Sequence, residues 1–261
     1  MDSSGPVMLR RHFDQISGAY YDIVDRLWYD VGYYHKREME FVRERLPTHL
    51  NLSIDAGCGP GRHTPHLVSV SKRVVAVDIS SEMLRLNRSR MSSASERVDL
   101  VQADVRKLPF KPGVADFILN LEVLEHLPVN DSDLSLALNE FRRVLGRDGL
   151  LVTEAPLRRH SWWGILGVKP SSWKEIDGNI RKEFYEKHPL TVEKTYREAT
   201  VESRLREAGF ELFVKTYVRV LPAGMIERHA CLEGVDRLLE RLPIVNRLAR
   251  EALWLVKCAA R

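Results

Sequence analysis

Asp55-Ala56-Gly57-Cys58-Gly59-Pro60-Gly61 follows a short apolar run and places three glycines where a strand would pass into a helix. Glycine lets the backbone turn tightly there and approach a ligand closely, because no Cβ atom stands in the way. A helix that begins near Gly61 would present unpaired N–H groups, which attract negative charge. The stretch is therefore a candidate ligand-binding loop, and a tight strand-to-helix turn without a ligand is the alternative.

The spacing of the three glycines narrows the class of ligand. A dinucleotide-binding loop uses G-x-G-x-x-G and holds a pyrophosphate at the helix N-terminus. Here the pattern is G-x-G-x-G, with Pro60 between the last two glycines, so it is one residue short of that fingerprint. The spacing suits a ligand with a carboxylate and no phosphate, such as the methionine half of S-adenosylmethionine.

The chain around the loop alternates short apolar runs with amphipathic helical stretches, which is typical of βαβ units. The predicted strands cover residues 52–55, 73–78, 98–103, 115–121, 149–154, 210–220 and 252–258. Helices are predicted at 80–91, 131–145 and 192–208, with Gly146 and Gly149 in the turn before the fifth strand. This pattern predicts an α/β fold: a Rossmann-like, doubly wound, mostly parallel seven-stranded sheet with helices on both faces and an inserted cap. For the last segment, a basic amphipathic helix at 243–257 on a membrane surface is the alternative.

Regions outside this alternation are expected to cover the sheet. Residues 1–47 are predicted to form an N-terminal helical cap segment of two aromatic-rich helices, and residues 48–261 the main domain. Together with this N-terminal segment, insertions at about 156–190, with Trp162, Trp163 and Trp173, and at about 224–242 are expected to build the pocket for a substrate, the acceptor. Their aromatic side chains either line a pocket for a flat or apolar molecule or close a second small core.

Carboxylates stand at the ends of the second and third predicted strands. Asp78 could accept both hydroxyls of a ribose in charge-assisted hydrogen bonds, and it could also cap the helix that follows. Asp104, at the end of the third strand, could accept the amino group of an adenine. Asp116 begins the fourth strand instead and is interpreted as structural. The ligand predicted by this arrangement carries a ribose and a base.

Five runs carry a family resemblance: DAGCGPGR, AVDIS, QADVRKLPF, ADFILNLEVLEHL and LGRDGLLVTEAP. In this order and spacing they resemble class I S-adenosylmethionine-dependent methyltransferases. They are most similar to the branch that includes the ubiquinone and menaquinone biosynthesis C-methyltransferases. The likeness covers residues 50–156 closely and 210–213 more loosely. It implies S-adenosylmethionine as the cofactor and methyl transfer as the activity.

The resemblance also implies roles for individual residues. Asp55 and the glycines would shape the methionine pocket, Asp104 and Val105 would flank the adenine, and Asn120 with Leu121 would line the methionine side. The phrase AYYDIVD resembles an N-terminal element of that branch that closes over the cofactor, which makes Tyr21 a candidate. The complete predicted cofactor site is Tyr21, Asp55, Gly57, Cys58, Gly59, Gly61, Asp78, Ile79, Met83, Asp104, Val105, Asn120 and Leu121.

Methyl transfer from a sulfonium is an in-line displacement, in which the protein mainly aligns acceptor, methyl group and leaving sulfur. A general base is needed only if the acceptor must lose a proton. His126 and His188 are the predicted catalytic candidates. His126 follows the fourth strand beside Glu122 and Glu125, and His188 precedes the next predicted helix; His160 is a third candidate. The alternative is that each histidine is a hydrogen-bonded structural group.

The predicted acceptor is a small molecule, apolar or quinone-like. Basic residues interleaved with aromatics at 158–187 also fit an RNA methyltransferase of the wobble-uridine tRNA type. Acidic residues dilute that charge, so a solvated surface is the alternative there. A non-catalytic S-adenosylmethionine-binding protein is the third hypothesis.

Composition limits the class of protein and the kinds of site that the chain can form. The 261 residues are 44% hydrophobic and 29% charged, which is typical of a globular protein. Apolar runs are too short to span a bilayer and no signal peptide is evident, so a cytoplasmic protein is predicted, with peripheral membrane contact left open. The three cysteines form no CxxC, and no metal site is predicted. A net charge of +4 permits an anionic partner without requiring one.

Overall fold

The fold is described from a computed structural model of the chain. The residues that the structure describes are 4–20, 32–91, 95–127, 131–157, 195–218, 220–221, 226, 229–243, 245, 248–249 and 251–259. Tyr21, His160 and His188 therefore lie outside the described residues, as does nearly all of the predicted insertion at 156–190.

The described strands form one seven-stranded sheet. The strands are β1 Leu50–Ala56, β2 Ser71–Asp78, β3 Val98–Gln102, β4 Ala115–Asn120, β5 Leu145–Pro156, β6 Phe210–Val218 and β7 Glu251–Cys258. Their order across the sheet is β3-β2-β1-β4-β5-β7-β6. The first five strands are parallel to one another, and β7 is antiparallel to both β5 and β6. The predicted mostly parallel, seven-stranded α/β fold is confirmed.

The helices are α1 Ser4–Tyr20, α2 Tyr33–Arg43, α3 Thr64–Val70, α4 Ser81–Arg90, α5 Asp131–Val144, α6 Glu198–Glu207 and α7 Leu232–Arg241. Local sequence accounts for several of their starts. The Ser80 hydroxyl accepts a hydrogen bond from the Met83 backbone N–H at 3.2 Å and so caps α4, while Pro65 lies in the first turn of α3. None of the helices in the described ranges is long and apolar enough to cross a membrane.

Both faces of the sheet are covered, which explains why its strands have continuous apolar runs. Phe117 and Ile118 are neighbours in β4, point to opposite faces and are both 0% exposed. Ile118 belongs to a core that includes Phe141 of α5 and Leu205 of α6. Phe117 belongs to a second core, on the other face, that includes side chains of α2, α3 and α4.

Residues 251–258 form a strand, and the alternative helix at 243–257 is wrong. The segment pairs with β5 from Leu150↔Lys257 to Pro156↔Glu251 and with β6 along its other edge. Trp254 is fully buried in this position between two strands. A strand buried on both faces is apolar at almost every position. In a run this short, periodicity alone does not distinguish such a strand from a helix.

The fifth strand begins earlier than predicted, at Leu145 instead of residue 149. Gly146 and Gly149 therefore lie within β5 and not in a turn before it. The pairing with β4 jumps from Ala115↔Leu145 to Phe117↔Leu150, so the extra residues of β5 form an irregularity in the ladder. Glycines are found at such irregular positions as well as in turns, which accounts for the error.

The strand order locates the crevice in which a ligand is expected. The chain runs outward from β1 to β2 and β3 on one side and continues at β4 on the other, so the order reverses between β1 and β4. In open α/β sheets, ligands bind at such a reversal, beyond the carboxyl ends of the strands. The loops that follow Ala56 and Asn120 lie at this position.

Candidate functional site

The glycine loop after β1 is held against the end of β2. The backbone N–H groups of Gly57 and Cys58 both donate to the Val77 carbonyl, at 2.8 and 2.9 Å. The Gly61 N–H donates to the Cys58 carbonyl at 3.0 Å, which closes the turn that leads to α3. These bonds fix the path of the loop along the carboxyl end of the sheet.

Two of the three glycines are required by both conformation and space. Gly57 has φ +81°, and a Cβ atom there would lie 2.2 Å from Cγ2 of Val123. Gly61 has φ +86°, and a Cβ atom would lie 2.6 Å from the side-chain amide of Asn87. Gly59 also has a positive φ, +49°, but no atom of the described residues lies within 4 Å of its Cβ position. Among these residues, Gly59 therefore faces open space in the crevice.

Asp55 lies behind the loop and supports it. Its carboxylate accepts a hydrogen bond from the Thr64 hydroxyl at 2.6 Å, and Thr64 accepts one from the Asn87 side-chain amide at 3.0 Å. The chain of contacts joins β1, α3 and α4 beneath the glycines. Burial raises the pKa of Asp55 to about 7, with a further contribution from the charge of Asp78.

Asp78 joins the end of β2 to the glycine loop. One carboxylate oxygen accepts the Gly59 backbone N–H at 2.8 Å, and the other accepts the Ser80 backbone N–H at 2.8 Å. Burial raises the pKa of Asp78 to about 6, although these backbone hydrogen bonds act in the opposite direction. Each carboxylate oxygen has a second lone pair, so Asp78 can still accept hydroxyl donors from the crevice.

A cleft opens between the glycine loop, the ends of β2 and β3, the segment after β4, and α1. Its wall consists of Leu9, Phe13, Gly57, Cys58, Gly59, Pro60, Arg62, His63, Asp78, Ile79, Met83, Ala103, Asp104, Val105, Leu121, Glu122, Val123, His126 and Leu127. Ten residues of the predicted site belong to this wall: Gly57, Cys58, Gly59, Asp78, Ile79, Met83, Asp104, Val105, Leu121 and His126. The structure thus brings most of the predicted site together.

Asp55, Gly61 and Asn120 are predicted site residues that lie behind the wall of the cleft. Asn120 is 0% exposed, and its amide donates to the Ala56 carbonyl at 2.8 Å. Its side-chain oxygen accepts the Thr153 hydroxyl at 3.1 Å. Asn120 therefore ties the ends of β1, β4 and β5 together from behind the cleft wall.

Asp104 lines the cleft, but its carboxylate is already engaged. Arg106 contacts both of its oxygens through the guanidinium, with the shortest distance at 2.6 Å, and also through its backbone N–H. The same guanidinium binds Asp133 at 2.6 Å, which connects the third strand to α5. A side-chain hydrogen bond from Asp104 to an adenine would have to share the carboxylate with Arg106.

Helix α1, which belongs to the predicted N-terminal cap segment, contributes a wall of the cleft. Leu9 and Phe13 line the cleft, and the Phe13 ring meets the His126 ring edge to face with centroids 5.3 Å apart. Asp14 anchors the helix by accepting the Ser80 hydroxyl at 2.6 Å. The sequence predicts that the N-terminal helices help to build the pocket, but it does not single out Leu9 and Phe13, because α1 is distant in sequence from the motifs.

An ion pair and a histidine complete the wall on the side of β4. Arg62 donates to the Glu122 carboxylate at 2.7 Å, and both side chains are nearly buried. Glu122 has φ +54°, a conformation that non-glycine residues rarely adopt and that concentrates at functional sites. Arg62 also donates to Nε2 of His63 at 3.1 Å. Arg62 directly follows the glycine motif, which was the available signal for it.

The chain is similar in sequence to known methyltransferases. Residues 54–153 match the family model described as "Methyltransferase domain". A protein of Mycobacterium tuberculosis (strain H37Rv) named "Probable S-adenosylmethionine-dependent methyltransferase" is 31% identical over 131 residues, covering 49% of this chain and 45% of that protein. The demethylmenaquinone methyltransferase of Clavibacter sepedonicus is 28% identical over 242 residues, or 90% of this chain and 94% of that enzyme. The match thus spans less than half of the length of the first curated relatives and nearly all of this third one.

Solved structures show the same fold at low sequence identity. A chain from the complex between the Haloferax volcanii Trm112 methyltransferase activator and a methyltransferase superposes with a TM-score of 0.63 and 16% identity, covering 97% of this chain and 98% of that one. A Thermotoga maritima structure titled as an S-adenosylmethionine-dependent methyltransferase, possible histamine N-methyltransferase, gives 0.61 and 17%, covering 96% and 99%. These likenesses establish the fold alone.

The steric role of Gly57 leads to a prediction about stability. Gly57→Ala should lower the free energy of unfolding by roughly 2–4 kcal/mol, because a left-handed conformation and a clash with Val123 are both imposed. Gly59→Ala is the matched control, since it shares the positive φ without the contact, and it should cost only about 1–2 kcal/mol. Urea unfolding of both variants measures the difference.

Removal of the clashing atoms tests the cause. In a Val123→Ala background, Gly57→Ala should cost clearly less than in the wild-type background, which appears as a coupling energy in the double-mutant cycle. An equal cost in both backgrounds would show that the contact with Val123 is not what demands glycine.

Proposed function

We propose that this chain, which belongs to the class I S-adenosylmethionine-dependent methyltransferases near their quinone-biosynthesis branch, transfers a methyl group from S-adenosylmethionine to a small-molecule acceptor. The observation that carries the proposal is the position of Asp78. Its carboxylate lies in the cleft wall directly beside the open face of Gly59, at the reversal of strand order. A ribose hydroxyl acceptor and a loop that admits close approach are thus adjacent.

We propose one orientation for the cofactor in the cleft. We place the methionine portion against Gly57, Gly59 and Leu121, because the two glycines have no side chain that would obstruct it. The ribose lies at Asp78. The adenine lies between apolar walls at Ile79 and Val105, which are on neighbouring strand ends. Burial of the base between such side chains would supply most of its binding free energy.

The residues that line the cleft would align the acceptor with the methyl group. The sulfonium is already an activated electrophile, so the principal task of the protein is to hold the acceptor in line with the methyl group. Phe13 and Leu127 line the cleft together with His126. His126 is the base that we propose for acceptors that must lose a proton, since it is the described candidate that lines the cleft.

A small acceptor is supported by the shape of the cleft and by the relatives. Helix α1 forms one side of the cleft with Leu9 and Phe13, and the lining of the cleft is largely apolar. Such spaces suit flat or apolar small molecules. The Clavibacter relative, which aligns with 90% of this chain, is named for a quinone precursor. The basic residues at 158–187 that favour an RNA acceptor lie outside the described residues.

The role of Asp78 predicts a pH-dependent affinity for the cofactor. The ionised carboxylate is the stronger acceptor of ribose hydroxyls, and the pKa of about 6 leaves it mostly protonated below that value. Affinity should therefore rise as pH is raised through 6, by roughly tenfold between pH 5 and pH 6.5. Calorimetric titration with S-adenosylhomocysteine measures this change.

Asp78→Asn should weaken binding by roughly 10- to 100-fold at pH 7.5 and remove the rise with pH, because the amide cannot ionise. Asp99→Asn is the matched control, since Asp99 lies on the adjacent strand β3 with its side chain exposed and paired with Arg73. Its affinity and pH profile should equal those of the wild type. An unchanged profile in Asp78→Asn would contradict the ribose assignment.

The class of acceptor is tested by radiolabelled methyl transfer to fractionated lysate. With the small-molecule fraction, label should be incorporated, and the rate should change little between low and moderate salt. Incorporation into the macromolecular fraction that disappears after ribonuclease treatment and falls steeply with salt would establish an RNA acceptor instead. Cofactor binding without transfer to any fraction would identify a non-catalytic binding protein.

A further inference from the structure

Five side chains of metal-ligating type lie beside the cleft, and of these only His63 also lines it, among the described residues. His35, Glu38 and His63 form one group, and Glu38, Glu154 and Glu251 form another. Within each group, one ligand atom from each residue lies within 4.8 Å of those from the other two. Glu38 belongs to both groups, so the five residues are called the Glu38 cluster.

The fold places these residues together from distant parts of the chain. His35 and Glu38 are three positions apart in α2 and therefore lie on one face of that helix. In the antiparallel ladder, Glu154 pairs with Leu253 and Pro156 pairs with Glu251. Glu154 and Glu251 are thus diagonal neighbours on the same face of the sheet. This is the face that α2 and α3 cover.

The carboxylates of the cluster are buried. Glu38, Glu154 and Glu251 are 0%, 2% and 4% exposed. Glu154 is aimed into the cluster, and its Oε2 atom has no hydrogen-bond partner among the described residues. A buried acceptor without a partner is costly, and a cation bound in the cluster would satisfy it.

We propose that the Glu38 cluster is a binding site for one divalent transition-metal ion, of the class of Mn²⁺, Fe²⁺ or Zn²⁺. Bonds of about 2.0–2.2 Å place the ligand atoms of one ion up to roughly 4.2 Å apart. The three donors of either group are already within 4.8 Å of one another, so they need only small shifts. Imidazole together with carboxylate favours these metals, whereas Ca²⁺ and Mg²⁺ prefer oxygen donors alone.

Coordination by His63 would need a modest rearrangement. Its Nδ1 atom contacts the thioether of Met39 at 3.0 Å, and its Nε2 atom accepts from Arg62. A neutral imidazole has one N–H and one lone pair, so a metal can bind only if Nε2 stops accepting from Arg62. It would bind at Nε2 directly, or at Nδ1 after the proton has moved to Nε2. Arg62 would keep its hydrogen bond to Glu122 at 2.7 Å. Because His63 also lines the cleft, the ion would lie directly behind the cleft wall. The proposal goes beyond methyl transfer itself, which does not require a metal.

Metal binding by the tag-free full chain tests this assignment. The protein is dialysed against EDTA and then titrated by calorimetry with ZnCl₂ and, separately, with MnCl₂, without S-adenosylmethionine. The wild type should bind one ion of at least one of these metals per chain, and its Tm should rise on metal addition. Glu38→Gln should weaken that binding at least 100-fold, since it removes the ligand that both groups share.

Glu154→Gln is a second variant that should also weaken binding, by at least tenfold, and it serves if Glu38→Gln does not fold. The matched control is Glu202→Gln, a carboxylate of α6 that pairs with Lys215 and Arg206, which should bind metal as the wild type does. Absence of saturable binding by the wild type would overturn the proposal. Equal binding by the wild type and by the folded cluster variants would overturn it as well.

Discussion

The carboxylate of Asp78 is the contact on which the architecture of the cleft depends. It accepts one backbone N–H from the glycine loop after β1 and one from the start of α4 after β2. Neighbouring parallel strands end at the same edge of the sheet, and this single side chain joins the two loops that leave them. The loops can only meet in this way because Gly57 and Gly61 take left-handed conformations in spaces that a Cβ atom would fill. The position of the loop is therefore set by local backbone chemistry before any ligand arrives.

Two buried carboxylates, those of Asp55 and Asp78, lie at this edge of the sheet. Asp55 and Asp78 have raised pKa values because they are buried, although hydrogen bonds to Thr64 and to backbone N–H groups oppose the shift. A buried carboxylate is costly to keep ionised. A ligand that offers it hydroxyl donors or positive charge is therefore favoured. The cofactor cleft and the Glu38 cluster lie at the same carboxyl edge and share His63 in their walls. The two sites thus follow from one feature of the fold.

Much of this could be predicted from sequence, because the informative contacts are local. Apolar runs predicted the strands, and the glycine loop with Asp78 predicted residues that line one cleft, since each pattern depends on a few consecutive residues. The partners of Asn120 and Asp104 could not be predicted, because Ala56, Thr153 and Asp133 come from other elements. The same holds for Leu9 and Phe13 of α1. No metal site was predicted because the donors of the Glu38 cluster are separated along the chain and form no motif.

The most direct test of the account is a crystal structure of the chain with S-adenosylhomocysteine. The account predicts both ribose hydroxyls within hydrogen-bond distance of the Asp78 carboxylate, the homocysteine against Gly57 and Gly59, and the adenine between Ile79 and Val105. A ligand bound elsewhere, or one in this cleft with its ribose away from Asp78, would contradict it.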